Sequence, residues 1–68
     1  MVSDESSRSV VKRLRRAGFV KTDGKGSHTK WSHAASGASV IVATGHRMIS
    51  ATGVARVNRA IKRSEEGA

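Results

Sequence analysis

The sequence predicts an α+β domain with the order helix, strand, strand, strand, helix, in which a three-stranded antiparallel sheet carries both helices on one face. Two observations support this αβββα prediction. Apolar residues recur at helical spacing near both ends of the chain, whereas the middle alternates with a period of two between glycine-containing turns. With 68 residues the chain has room for one small domain, so we expect residues 1–68 to form a single unit.

The first predicted helix begins at a cap formed by Ser6 or Ser7 and reaches Ala17. Its apolar residues fall on one face, and basic residues cover the opposite face. Gly18 follows, at the place where a helix often ends in a left-handed residue. Residues 1–5 are expected to form a frayed tail. The apolar positions are Val10, Val11, Leu14 and Ala17.

Three short segments in the middle of the chain have strand character. Residues 19–22 form the first, and a turn cluster at residues 23–26 separates it from the second at residues 27–33. A turn at residues 34–37 then leads to a third strand at residues 38–44, which is rich in β-branched side chains.

Alternation in the second strand divides its side chains between two faces. Trp31 is the only large aromatic residue besides Phe19, so we expect its face to meet the core. His28 and Lys30 lie on the other face and should point away from the core together. With both helices over the Trp31 face, this layout is the architecture of double-stranded-RNA-binding domains.

The second predicted helix begins after a cap at Ser50 and covers residues 51–63. It has an apolar face and a basic face, and residues 64–68 are expected to fray. The apolar positions are Val54, Val57, Ala60 and Ile61, and the basic positions are Arg56, Arg59, Lys62 and Arg63.

Basic residues dominate the charge, with 13 Lys and Arg against 5 Asp and Glu and a net charge of +8. Residues 24–64 contain no acid at all. A protein with this charge attracts polyanions, of which the phosphate backbones of nucleic acids are the commonest. The scarcity of carboxylates excludes two-metal nucleases and glycosidases that use a carboxylate pair. Catalysis would therefore have to use His, Lys, Arg, Ser or Thr.

The chain contains no Cys, which excludes disulfides, iron–sulfur clusters and thiol nucleophiles. Its longest apolar run, residues 40–43, is too short to cross a membrane, and residues 1–5 do not have the character of a signal peptide. We expect a cytoplasmic protein that binds no membrane, no metal and no small-molecule cofactor.

Residues 24–31 contain the strongest chemical signal. Gly24 and Gly26 allow a phosphate to approach the backbone, and His28 lies between Lys25 and Lys30. An imidazole titrates near neutrality, so it can remove the proton of a ribose 2′-hydroxyl and create an internal nucleophile. A nearby ammonium group can balance the charge that develops at phosphorus. From the residues alone, a surface histidine beside two solvated lysines is the alternative interpretation.

These residues resemble a known family. The helix is followed by AGFV at residues 17–20 and by KGSHTKW at residues 25–31, as in the HicA-type messenger-RNA interferases of toxin–antitoxin systems. A Val- and Ile-rich strand, a short His-containing loop and a helix opening at residues 49–54 fit the same pattern. The resemblance covers residues 6–63. It departs at Thr29, where members often have histidine, and at residues 33–37, which lack the family's Pro and Asp.

The resemblance implies an endoribonuclease toxin with His28 as its catalytic residue and a HicB-type antitoxin that covers the site. We expect cleavage of messenger RNA without a metal ion. The alternative is a non-catalytic RNA- or DNA-binding module whose last helix enters a groove. A third hypothesis is that the protein is a phage or plasmid remnant that still binds the antitoxin but has lost its activity. The predicted RNA-binding residues are Lys25, Gly26, Ser27, Lys30 and Arg47.

The remaining candidates are given structural roles. His33 is five residues from His28 and faces the other side of the strand, so we expect it to pack or hydrogen-bond near the hairpin. Ser27 is adjacent to His28 and is expected to serve the turn or a phosphate, not a nucleophilic dyad. His46 lies in a separate loop with Arg47, where it is a plain loop residue or a phosphate contact.

Overall fold

The computed structural model describes residues 3–67. Strands β2, β3 and β4 form a three-stranded antiparallel sheet in that order, and β1 and β5 form a separate two-stranded sheet. The predicted α+β fold with three antiparallel strands and two helices is confirmed. In chain order the elements are β1 (Glu5–Ser6), α1 (Ser7–Arg16), β2 (Val20–Lys25), β3 (His28–His33), β4 (Ala38–Val42), β5 (Met48–Ile49) and α2 (Ala51–Glu66).

Both helices begin at the serine caps that the sequence predicts. The Ser6 hydroxyl accepts a hydrogen bond from the Ser9 backbone N–H at 3.2 Å, and the Ser50 hydroxyl accepts one from the Gly53 N–H at 3.3 Å. Gly18 follows α1 with a φ of 91°, a left-handed conformation that glycine adopts without strain. Neither helix within residues 3–67 combines the length and apolar character that crossing a membrane requires.

A single cluster of apolar side chains fills the space between the sheet and the helices. Trp31 of β3 belongs to this cluster with only 3% of its surface exposed, which confirms the predicted inner face of this strand. Its indole N–H donates to the Thr29 hydroxyl at 2.9 Å, so burial leaves no polar atom unpaired. Ile61 is partly buried against the cluster. The other members are Val10, Leu14, Phe19, Ala38, Val40, Val42, Ile49, Val54, Val57 and Ala60.

The hairpin between β2 and β3 is tighter than the sequence predicts. Lys25 pairs with His28, so the turn consists of Gly26 and Ser27 alone, and Gly26 has a φ of 62°. A two-residue turn with a left-handed glycine matches the twist of the flanking strands, so pairing continues through most of the predicted turn cluster. The third strand is shorter than predicted and ends at Val42, whose carbonyl accepts the Thr44 N–H at 2.9 Å in a turn.

The predicted frayed tails are wrong for the residues that the structure describes. Glu5 pairs with Ile49 in the two-stranded sheet, and the Asp4 carboxylate accepts the Ala51 N–H at the start of α2 at 2.9 Å. At the other end, α2 continues to Glu66. The residues that hold the N-terminal segment are distant from it in sequence, so the local spacing of residues could not predict these contacts. Residues 1, 2 and 68 of the predicted tails lie outside the described residues.

Glu5 connects β1 to both helices. Its carboxylate accepts hydrogen bonds from the Ser9 hydroxyl at 2.6 Å and from Arg13 at 2.9 and 3.0 Å, and Arg13 also donates to the Asn58 side chain of α2. The hydrogen bonds from Ser9 and then from Arg13 lower the pKa of Glu5 below its usual range, because they favour the charged form. Partial burial opposes this shift.

We expect Glu5→Gln to lower the free energy of unfolding by about 1 kcal/mol at neutral pH, since charged hydrogen bonds to a partly exposed arginine are lost. Because the pKa of Glu5 is lowered on folding, its contribution is present above about pH 4.3, the value for an unfolded Glu, and is lost as the pH falls through the folded value. Thermal unfolding followed by circular dichroism should therefore show the stabilities of the two proteins converging as the pH falls below the unfolded value and through the lowered folded value.

The matched control is Glu66→Gln. Glu66 is exposed at the end of α2, and within residues 3–67 the one ion pair joins Arg13 to Glu5. This variant should unfold like the unaltered protein at neutral pH. Equal stability of the two variants would contradict the role of Glu5.

Candidate active site

His28 is the first residue of β3 and lies exposed on the sheet face opposite the helices. Lys25 is its cross-strand partner, and Lys30 is two residues further along the same strand, so that both ammonium-bearing side chains are on the exposed face with it. Together these three side chains line a shallow depression of about 130 Å³. The structure thus places Lys30 on the same face as His28, as the alternation predicts, and the pairing of β2 with β3 adds Lys25, which the sequence predicts in a turn.

Ser27 occupies the hairpin turn, beside the imidazole. Its hydroxyl oxygen is 3.5 Å from His28 Nδ1, which is long for a hydrogen bond and too long for an activated nucleophile. The expected opposite-face arrangement does not apply, because Ser27 precedes the strand and does not belong to it. Gly26, with its left-handed backbone, completes the turn.

A second loop lies against this turn and carries another imidazole. The Gly45 N–H donates to the Ser27 carbonyl at 2.9 Å, which joins residues 43–47 to the β2–β3 hairpin. His28 and His46 consequently line one cleft of about 470 Å³, and Arg56 of α2 lines it as well. His28 therefore lies where this cleft meets the depression lined by the lysines.

Gly45 permits this close approach. A Cβ atom at position 45 would lie 2.5 Å from the Ser27 Cβ and 2.6 Å from the Ser27 Cα. Backbone cannot yield as a flexible side-chain end can, so any larger residue must separate the two loops. The close approach of the β2–β3 turn, next to His28, and the loop that carries His46 thus depends on Gly45.

Two residues of the cleft were missed as site residues or given only a secondary role. The sequence predicts His46 as a plain loop residue or a phosphate contact, and Arg56 only as one position on the basic face of the second helix. The basic face of α2 was visible in the sequence, but its position against the hairpin was not. Arg47, predicted to bind RNA, is exposed in the same loop; its carbonyl accepts the Ser7 N–H at 3.0 Å, and its side chain does not line the cleft.

His33 has the structural role that its position predicts. Its Nδ1 is 2.7 Å from the Ser36 hydroxyl, and its ring packs against Phe19 with 5.3 Å between ring centroids. Among residues 3–67, no three His, Cys, Asp or Glu side chains are grouped so that they could hold a metal ion.

No family model matches this chain, and comparison with curated proteins and with solved structures gives no match. The resemblance to HicA-type interferases therefore rests on the KGSH segment and the order of the elements. The cleft that His28, His46 and Arg56 line is a second observation, which does not depend on that resemblance.

We expect Gly45→Ala to lower the free energy of unfolding by about 1–3 kcal/mol, because the new methyl group overlaps the Ser27 backbone. The amide resonances of Ser27 and His46 should also shift in nitrogen–proton correlation spectra. The control is Gly24→Ala, where the new methyl group would meet only side-chain atoms at 3.4 Å or more. If the two variants are equally stable and give unchanged Ser27 and His46 resonances, the close approach does not position this cleft.

Proposed function

We propose that this protein is a HicA-type endoribonuclease, the toxin of a toxin–antitoxin pair, which cleaves messenger RNA without a metal ion and uses His28 as its catalytic residue. The observation that carries the proposal is the exposed His28 imidazole, which lies beside two lysines and shares one cleft with a second imidazole and a guanidinium. No acidic residue occurs between positions 24 and 64 to repel a phosphate backbone.

The reaction begins with proton transfer from a ribose 2′-hydroxyl to neutral His28. The 2′-oxygen attacks the adjacent phosphorus, and the bond from phosphorus to the 5′-oxygen of the next nucleotide breaks. The products are a 2′,3′-cyclic phosphate and a 5′-hydroxyl. Lys25 and Lys30 stabilise the additional negative charge on the five-coordinate phosphorus. DNA lacks the 2′-hydroxyl and does not react by this route.

The leaving 5′-oxygen needs a proton, and we assign its donation to His46. His46 and His28 line the same cleft, so a phosphodiester held there can meet both imidazoles. Arg56 lines the cleft from α2 and can donate two parallel hydrogen bonds to the non-bridging phosphate oxygens. A base on β3 and an acid on the loop after β4 allow both proton transfers without a metal ion.

The proposed protein partner is a HicB-type antitoxin that covers this cleft. The surface around His28 carries lysine and arginine side chains and no acid apart from Asp23 at the edge of the shallow depression. A partner that presents carboxylates would complement this charge and exclude RNA from the same surface.

Substitution of His28 by alanine is expected to reduce cleavage of labelled RNA by at least about 100-fold, the usual contribution of a general base. The fold should persist by circular dichroism, because the side chain is exposed. Replacing the ribose at the cut site by 2′-deoxyribose should block cleavage by the unaltered protein. Addition of EDTA should leave cleavage intact.

Full activity of His28→Ala, or strict dependence on Mg²⁺, would refute the proposed mechanism. Binding of RNA and DNA with equal affinity, and no cleavage by the unaltered protein, would favour the alternative of a non-catalytic nucleic-acid-binding module.

For His46→Gln we expect RNA cleavage to slow by about 100-fold, because the leaving 5′-oxygen loses its proton donor. A nucleoside 3′-phosphate ester with a p-nitrophenol leaving group needs no protonation, so the variant should cleave it nearly as fast as the unaltered protein does. Equal losses on both substrates would remove His46 from the role of acid.

A further inference from the structure

A groove follows the outer edge of the sheet, next to the cleft. β4 is an edge strand, and the groove lies between it and α2 with a volume of about 460 Å³. Its lining is Lys30 from β3, Ser39, Val40 and Ile41 from β4, and Arg56, Arg59, Ala60 and Arg63 from α2.

Three arginine side chains of α2 give this groove a positive charge. Arg56, Arg59 and Arg63 follow one another at intervals of three and four residues, so they fall on one face of α2. All three are exposed, and none of the described residues that line the groove is acidic. Within residues 3–67 the one ion pair involves Arg13, so the guanidinium groups of the groove are available to an external anion.

The groove is continuous with the cleft that contains His28, because Ile41 and Arg56 line both. A nucleotide chain whose phosphate lies in the cleft can therefore extend along α2 past Arg59 and Arg63. Ile41 is 61% exposed between Lys30 and the arginines, and it offers an apolar surface that a base or ribose can cover.

We propose that this groove binds the backbone of single-stranded RNA on one side of the cleavage site, with Arg59 and Arg63 as phosphate ligands beyond the cleft. The proposal rests on the proposed function for the identity of the nucleic acid. An acidic peptide could also add to the edge of β4, but the continuity with the cleft and the succession of guanidinium groups favour a chain of phosphates.

The test measures the binding of a short, single-stranded 2′-O-methyl oligonucleotide, which the 2′-hydroxyl chemistry cannot cleave, by fluorescence anisotropy at several salt concentrations. The double variant Arg59→Gln/Arg63→Gln should bind at least about tenfold more weakly at low salt. The slope of log affinity against log salt should fall by about 1.4, since each phosphate contact on a single strand contributes about 0.7.

The matched control is Arg8→Gln/Lys12→Gln, which removes the same charge from exposed positions of α1 that line neither the groove nor the cleft. It should lose much less affinity and keep its salt slope. If both variants behave alike, only overall charge matters and the groove proposal is overturned. It is also overturned if the groove variant binds RNA normally but loses affinity for an oligo-glutamate peptide.

The two proposals fail in distinguishable ways, because the binding test uses an unaltered His28 and an uncleaved ligand. Loss of binding in the groove variant together with full cleavage by His28→Ala would support the groove and refute the proposed catalytic residue. An unchanged salt slope in the groove variant together with loss of cleavage in His28→Ala would refute the groove and support the proposed catalytic residue.

Discussion

Burial of Trp31 determines which face of the three-stranded sheet packs against the core and which face is exposed. With this indole buried in the core cluster, the pleat of β3 directs His28 and Lys30 to the opposite, exposed face. The indole N–H binds the Thr29 hydroxyl, which is in turn 2.8 Å from the Thr44 hydroxyl. The core is thus joined by hydrogen bonds to the loop that carries His46. Thr29, where the HicA-type pattern often has histidine, has a structural role in this chain.

The cleft is assembled from three segments that are far apart in sequence. The start of β3 supplies His28, the loop after β4 supplies His46, and α2 supplies Arg56. The loop and the hairpin meet where Gly45 lies against Ser27, and the loop is held from the other side by the pairing of β1 with β5. A chain too small to enclose a deep pocket therefore forms its cleft from short loops supported by a sheet.

The distribution of charge separates the stabilising contacts from the proposed functional surface. Glu5 takes part in the ion pair and hydrogen bonds that join β1, α1 and α2, and its own side chain lines neither the cleft nor the groove. By contrast, the arginines of the groove and the lysines beside His28 have no carboxylate partner within residues 3–67. Unpaired cations repel one another and oppose folding, and such an arrangement is expected where an anionic ligand supplies the compensating charge.

Local sequence pattern was sufficient for the two helices, their serine caps, and the opposite orientation of Trp31 and His28 on β3. These features depend on helical and strand periodicity, which involves residues only a few positions apart. The pairing of Glu5 with Ile49, the approach of Gly45 to Ser27, and the position of His46 and Arg56 beside His28 could not be predicted in this way. Each joins residues that are distant along the chain, and their proximity follows from how the helices and loops pack on the sheet, which no local periodicity specifies.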